Sequence, residues 1–297
     1  MMDPMTRLAA TSLLRTLLVA TLALVPAAAA AQTAGAPPRS ASEEVEILEL
    51  VLRDGTRAFG SVEREDDREI VFRTYAGAVI TVQRQDVVML RRTRGRVEGG
   101  TFVRADSHRS RLFFAPTARS LERGQVSVGV FEFLAPFVQV GVTDRFSVGG
   151  GTPLVFGIDE KYRPFWITPK LQVYDGGNAQ AAVGVLQLFN VSGDSGGIAY
   201  GVGTFGSSDN AVTIGTGLAY TGDSTGGVLM VGGERRVRPN LKLITENYVW
   251  KGGHGIVSGG VRFLGERLSA DLALAVPIGT DDYIAFPVVN FVYVFGR

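Results

Sequence analysis

From Gln125 to Arg297 the chain repeats one unit, in which apolar positions alternate with polar or small ones and a short Gly, Asp, Asn or Ser turn follows. A period of two marks strands whose two faces meet different surroundings. Twelve such strands are expected, near 125–133, 136–143, 146–155, 164–174, 179–190, 197–206, 210–220, 227–237, 241–250, 254–264, 268–278 and 285–296. The connections Thr143-Asp-Arg, Asp175-Gly-Gly-Asn, Ser207-Ser-Asp-Asn, Arg238-Pro-Asn and Gly265-Glu-Arg alternate with Phe156–Arg163, Ser192–Gly196, Thr221–Gly226, Lys251–Gly253 and Gly279–Ile284. The two sets therefore fall at opposite ends of the strands, and the pattern alone does not say which end is which. No stretch after residue 31 is a long enough apolar run for a spanning helix. Hydrocarbon offers backbone groups no partner, so strands that cross it must all be paired in a closed sheet. The fold class expected is all-β: a transmembrane antiparallel β-barrel of about twelve strands over 125–297.

Parity assigns the faces of that barrel. Val257, Val261 and Phe263 point outward, as do Leu268, Ala270, Leu272, Leu274 and Val276, and Ser258, Gly260 and Arg262 point in with Ser269 and Asp271. Phe165, Ile167, Leu171 and Val173 are outward, which places Lys170 and Gln172 in the lumen. Lys242 and Glu246 share one face of their strand, and Val289, Phe291, Tyr293 and Phe295 leave Asn290 inside. A charge turned to lipid costs about 2–4 kcal/mol at the midplane, so the charged face is the inner one. The expected lumen-lining set is Lys170, Gln172, Lys242, Glu246, Arg262, Asp271 and Asn290. A two-residue loop at Glu266-Arg267 sets Arg262 opposite Asp271 as an internal ion pair. Trp166, Tyr200, Tyr220, Tyr248, Trp250 and Tyr283 fall near strand ends, where aromatic girdles of such barrels sit.

Ahead of this repeat the character changes. Arg7 and Arg15 precede an apolar run, Leu17 to Val25, and the small residues Ala27–Ala31, which together read as a secretory signal peptide over 1–31. Residues 32–45, rich in Ala, Pro, Gly and Ser, read as a flexible lead-in. Glu46 to Arg92 reads as a small β-module, with strands at 47–52, 57–64, 69–75, 78–82 and 86–90 and turns at Asp54-Gly55 and Ala76-Gly77. The pattern Leu52-Arg-Asp-Gly-Thr56, Gly60-Ser-Val62, Ile70-Val-Phe72, Thr74-Tyr-Ala-Gly77 and Val79-Ile-Thr-Val82 resembles the Sm/SH3-like small barrels over about fifty residues. That family includes RNA-binding members, but export to the periplasm puts RNA out of reach, so 46–92 reads as a packing or protein-contact module with a periplasmic protein partner. Residues 93–124 read as a linker: the basic run Arg91–Arg96 is a solvated joint or a contact to anionic headgroups. Within it, Arg111-Leu-Phe-Phe-Ala-Pro-Thr-Ala-Arg119 is apolar enough to be buried. It either lines or plugs the barrel mouth, or pairs as an extra edge.

Composition narrows the chemistry. There is no cysteine, which excludes disulfides, thiolate metal sites and a thiol nucleophile. Removing 1–31 leaves a neutral chain, which speaks against nucleic acid as a partner. Thirty-eight glycines suit turns and crowded inward faces of a curved sheet. With two histidines and no acidic cluster beside them, neither a metal site nor any cofactor is expected.

Two motifs imitate enzymes. Gly193-Asp-Ser-Gly-Gly197 spells the nucleophile loop of trypsin-like proteases, but His108 lacks that family's Ala-Ala-His setting, and Thr221-Gly-Asp-Ser-Thr-Gly-Gly227 nearly repeats the phrase, so both read as turns. Gly201-Val-Gly-Thr-Phe-Gly206 matches a dinucleotide fingerprint, yet a strand follows where a helix is required. His254 and Ser258 share a face but lie about 13 Å apart along the strand. No catalytic set is expected.

Gln125 to Arg297 as a whole resembles the outer-membrane β-barrel class of Gram-negative bacteria, including an aromatic last strand. The resemblance implies outer-membrane lipids and the barrel-assembly machinery as partners, with Phe291, Tyr293 and Phe295 as the assembly signal, although Gly296-Arg297 follow where the class usually ends on the aromatic. Three functions then compete. A pore for small solutes comes first, a structural or envelope-contact barrel second, and a lipid-active enzyme last.

Overall fold

The computed structural model describes residues 45–98, 101–154, 163–191, 194–222, 224–280 and 284–296. The signal peptide, nearly all of the lead-in, Tyr283 and the loop residues 155–162 lie outside the described residues. The described chain forms two compact units, divided between Asp106 and Ser107.

In the first unit, six strands follow one another: β1 (Val45–Leu52), β2 (Arg57–Glu65), β3 (Glu69–Thr74), β4 (Val79–Gln83), β5 (Val87–Glu98) and β6 (Thr101–Arg104). They pair antiparallel in the order β4-β3-β2-β1-β5-β6. Gly55 and Gly77 sit in the left-handed region, each with φ +87°, which is why the two hairpins turn at those glycines. Leu50, Ile70 and Phe72 are buried, and Phe59 stacks on Phe102 at 4.2 Å.

The arginine run is not a linker. It is the middle of β5, in register with β1 as Glu49↔Arg91, Leu48↔Arg92 and Ile47↔Thr93. The module consequently extends through β6 rather than ending near Arg92. Charge made the run look solvated, and Arg92 and Arg94 are indeed exposed, but Arg91 has a strand partner that supplies its counter-charge. The carboxylate of Glu49 is fully buried and accepts from Arg91 at 2.6 and 2.9 Å, from Arg104 at 3.1 and 3.2 Å and from Arg57 at 3.3 Å. Burial pushes that carboxyl up, but the hydrogen bonds and charges of Arg91 and Arg104 outweigh it and hold it below its ordinary 4.5.

The second unit is the barrel. Its strands are β7 (Val126–Phe131), β8 (Ala135–Gly141), β9 (Phe146–Gly151), β10 (Phe165–Ile167), β11 (Lys170–Asp175), β12 (Ala179–Val191), β13 (Asp194–Gly206), β14 (Asn210–Thr221), β15 (Ser224–Arg238), β16 (Leu241–Trp250), β17 (His254–Leu264), β18 (Leu268–Ile278) and β19 (Phe286–Phe295). Each pairs with its sequence neighbours, and β19 pairs with β7, so the sheet closes. β10 and β11 both pair with β9 and β12 and are two halves of one strand, interrupted at Thr168-Pro169. The barrel is therefore twelve-stranded, and no helix among the described residues is long and apolar enough to cross a membrane. Its outer surface is apolar: Leu218, Phe263, Leu272 and Leu274 are among the large side chains it leaves exposed.

Two sequence readings shift. Asp194–Gly197 and Ser224–Gly227 are the first residues of β13 and β15, paired with β14 or β12, so these phrases begin strands just past the turns. Tyr200, Tyr248 and Trp250 are not girdle residues. Their parity is inward, and they pack against the buried cluster of the barrel interior.

Replacing Glu49 by Gln strands three guanidinium groups around a neutral amide, a loss of roughly 3 kcal/mol or more. Hydrogen exchange of peptides covering β1 and β5 is the measurement, and accelerated exchange confined to that unit is the expected result. Because the folded carboxyl titrates below the unfolded one, its stabilisation is full above about 4.5 and fades as acid reaches the folded value. Protection factors in β1 and β5, referred to the intrinsic exchange rate at each pH, should fall over that acid range in the native chain and not in the Gln variant.

Candidate functional site: a filled lumen

A twelve-stranded barrel is too wide for its own side chains to fill; about eight strands is the limit. Here the interior is occupied by residues of the segment between Ser107 and Gly124. Arg111 and Pro116 form an isolated bridge, the Leu112 amide donates to the Ala115 carbonyl at 2.8 Å, and the Thr117 amide donates to the Ser110 carbonyl at 3.1 Å. The result is a short hairpin with Leu112-Phe113-Phe114-Ala115 at its tip. It is not an added edge of the sheet. Leu112, Phe113, Ala115 and Ala118 are buried among inward residues of the wall, including Val202, Met230, Ile244, Ile256, Ala273 and Val288.

All seven lumen candidates read from the sequence are inward and buried: Lys170, Gln172, Lys242, Glu246, Arg262, Asp271 and Asn290. Register arranges several in one row across five strands, Arg236↔Lys242↔Arg262↔Asp271↔Asn290. Three cations side by side are unfavourable unless each is compensated. Arg262 makes a two-pronged pair with Asp271, at 2.6 and 3.1 Å. Lys242 donates to Glu234 at 2.7 Å, and Arg236 pairs with Asp209 from the turn before β14. Among the described residues, the wall's buried charges, Lys170, Arg236, Lys242 and Arg262 against Asp209, Glu234, Glu246 and Asp271, are balanced four to four.

The hairpin enters this lattice mostly through its main chain. Lys170 donates to the carbonyls of Ser110, Thr117 and Arg119 at 3.1, 3.1 and 2.6 Å. Arg262 donates to the carbonyls of His108 and Arg111 at 3.3 and 3.1 Å and to that of Leu112, and Asn290 donates to that of Phe113 at 3.2 Å. One oxygen of Glu246 accepts the amides of Phe114 and Ala115 at 2.9 and 3.1 Å, while the other accepts the Tyr248 hydroxyl at 2.7 Å. Thr204 accepts the Ala118 amide at 2.9 Å. Two side chains of the hairpin add ion pairs: Arg111 with Asp271 at 2.8 Å and Arg119 with Glu234 at 2.5 Å.

Two residues of the wall and the geometry of the hairpin were not singled out in the sequence. Glu234, on β15, belongs to the set and has a legible signal, since its parity is that of Met230 and Gly232. Gly232 had none. It stands opposite Glu246, and a β-carbon there would overlap Leu112 Cδ1 and lie 2.7 Å from the Thr245 carbonyl oxygen, so any side chain there forces Leu112 or the strand to shift. His254 opens β17 and is exposed, while Ser258 is buried with its hydroxyl donating to the Glu246 carbonyl, so the two do not form a proton-transfer pair. Among the described residues no group of His, Cys, Asp and Glu is arranged to hold a metal ion. Phe291, Tyr293 and Phe295 lie on the outer face of β19, with Tyr293 and Phe295 in ring contact at 4.6 Å.

No protein-family model matches this chain, and no curated protein matches it by sequence. Solved outer-membrane barrels resemble it in structure. The KdgM porin matches with 8% identity over 58% of this chain and 98% of its own, at a TM-score of 0.46, in the structure with disordered oligogalacturonate. A loop-deletion form of OmpT from Vibrio cholerae matches at 12% identity, 85% and 97% coverage and a TM-score of 0.33. OprB of Pseudomonas putida matches at 10% identity, 85% and 91% coverage and a TM-score of 0.32. At these scores none of the three bears on what the chain does.

Two substitutions test the seat directly. Gly232→Leu drives a side chain into Leu112, and Glu246→Gln replaces the anion that holds the tip amides. Trypsin added to the refolded protein reads the result by mass spectrometry. The native chain is expected to resist cleavage after Arg111 and Arg119, and each variant is expected to yield barrel fragments beginning at Leu112 or Ser120.

Proposed function

We propose that the chain is an outer-membrane β-barrel that is closed at rest by its own residues 107–124, and that residues 45–106 are its periplasmic contact module. Several features support the membrane reading. The sheet is closed, its outer face carries exposed leucines, valines and phenylalanines, and its charges are inside. A soluble barrel of this inside-out pattern would expose its apolar surface to water and hide its charges. The signal peptide read from the sequence and the aromatic last strand point the same way. The one observation that carries the closed reading is the buried hairpin, whose main chain is gripped by Lys170, Glu246, Arg262 and Asn290. A structural or envelope-contact barrel needs no open passage.

A second reading, a pore for small solutes, is favoured by one feature of the wall. Without the hairpin the wall keeps its own ion pairs, Arg262–Asp271, Lys242–Glu234 and Arg236–Asp209, and its four-to-four balance. Such a wall remains compensated when wet, so an emptied lumen is a water-filled channel rather than a collapsed one.

Planar-bilayer recording tests both. The native chain is expected to be silent, and Lys170→Met combined with Glu246→Gln is expected to give stepwise openings. In a salt gradient those openings should show almost no preference between cations and anions. Steady conductance of the native chain would refute the closed reading. Silence of the double variant, with trypsin showing the hairpin released, would leave the structural reading alone.

A further inference from the structure

The lumen contacts identify what kind of ligand this interior recognises. Lys170 caps three carbonyls, Arg262 caps carbonyls on the same hairpin, and Glu246 receives two consecutive amides at its tip. These are atoms that every polypeptide has. A carboxylate facing adjacent amides is the arrangement by which a turn binds an anion, here with the anion fixed on the wall and the turn as guest. Arg111 and Arg119 add charge to wall pairs that are already formed, at Asp271 and Glu234.

Resting on the closed-barrel reading, we propose that the lumen is a binding site for a polypeptide hairpin, recognised through its main chain, and that residues 107–124 are its resident ligand. A hairpin from another polypeptide with a small or apolar tip fits the same seat. The tethered segment holds it by proximity, since attachment to the barrel gives it an effective concentration in the millimolar range. Its apolar tip side chains fill space, and Gly232 sets the size of that space.

The absence of cysteine allows a clean reporter: Phe113→Cys, at a position buried at the tip, read by maleimide labelling of the refolded full chain. Added to it, Arg111→Ala and Arg119→Ala remove the hairpin's own ion pairs. Three fluorescein-labelled synthetic peptides of residues 107–120 are then offered in trans: the native sequence, one with Leu112, Phe113 and Phe114 changed to Val, Leu and Leu, and one N-methylated at Phe114 and Ala115. Main-chain recognition expects the first two to bind with affinities within about threefold of each other, and the N-methylated peptide to lose tenfold or more, about 1.4 kcal/mol. Glu246→Gln in the barrel should weaken the native peptide and leave the N-methylated one unchanged.

If the introduced thiol stays protected despite the arginine losses, main-chain contacts alone hold the hairpin, and adding Lys170→Met with Glu246→Gln must expose it. Continued protection would overturn the proposal. Equal binding of native and N-methylated peptides, or no binding to a barrel whose tip thiol is exposed, would overturn it too. Rapid labelling of that thiol in the otherwise native, heat-modifiable barrel would instead refute the closed reading beneath it.

Discussion

A main chain enclosed in a barrel must find partners for its amides and carbonyls, because the interior gives it little water and an unpaired buried group costs about 1–3 kcal/mol. The rest of this interior follows from that constraint. The hairpin pairs a few groups with itself, across Ser110–Thr117 and Leu112–Ala115, and hands others to the wall. The wall answers with side chains that reach across the lumen: a lysine and an arginine for carbonyls, a glutamate for amides, and an asparagine where a neutral donor suffices.

The converse constraint acts on the wall. A buried ion costs several kcal/mol unless well paired, and replacing such pairs with apolar side chains is often no less stable. The row Arg236, Lys242, Arg262, Asp271 and Asn290 is therefore not the most stable way to fill a core. Its cations are tolerable because Asp271 lies opposite Arg262, Glu234 lies diagonal to Lys242 on the next strand, and Asp209 reaches Arg236 from the adjoining turn. Lys170 and Glu246 differ. Their described partners are main-chain groups of the hairpin and, for Glu246, the Tyr248 hydroxyl. These two residues tie the wall's electrostatics to the presence of the guest.

How much of this was legible depends on which interactions are local. The twelve strands and their faces were, since alternation and turn chemistry are written within a few residues. Arg262 opposite Asp271 follows from a turn alone. The role of β5 was hidden because Arg91 to Arg96 is basic in sequence, and Glu49, the carboxylate that pairs with Arg91, lies 42 positions earlier. Tyr200, Tyr248 and Trp250 looked interfacial by position along their strands, but burial against Phe113 and its neighbours decides their face. The hairpin's seat was beyond reach of the pattern. It depends on a missing side chain at Gly232 and on contacts such as Phe113 with Asn290, 177 positions away.

A cradle that joins charged groups to apolar ones has a consequence for how the barrel can change. An apolar plug would be held by the hydrophobic effect in proportion to its buried area, and removing it would leave an apolar lumen that water wets poorly. The hairpin here is held both by the burial of Leu112, Phe113, Ala115 and Ala118 and by groups that water can also satisfy. When it leaves, Lys170 and Glu246 exchange carbonyls and amides for solvent, while the three wall pairs stay as they are. The polar part of the free-energy difference between filled and empty lumen is then a difference between two hydrogen-bonded states, smaller than the sum of those contacts suggests, and the buried apolar tip adds its own term.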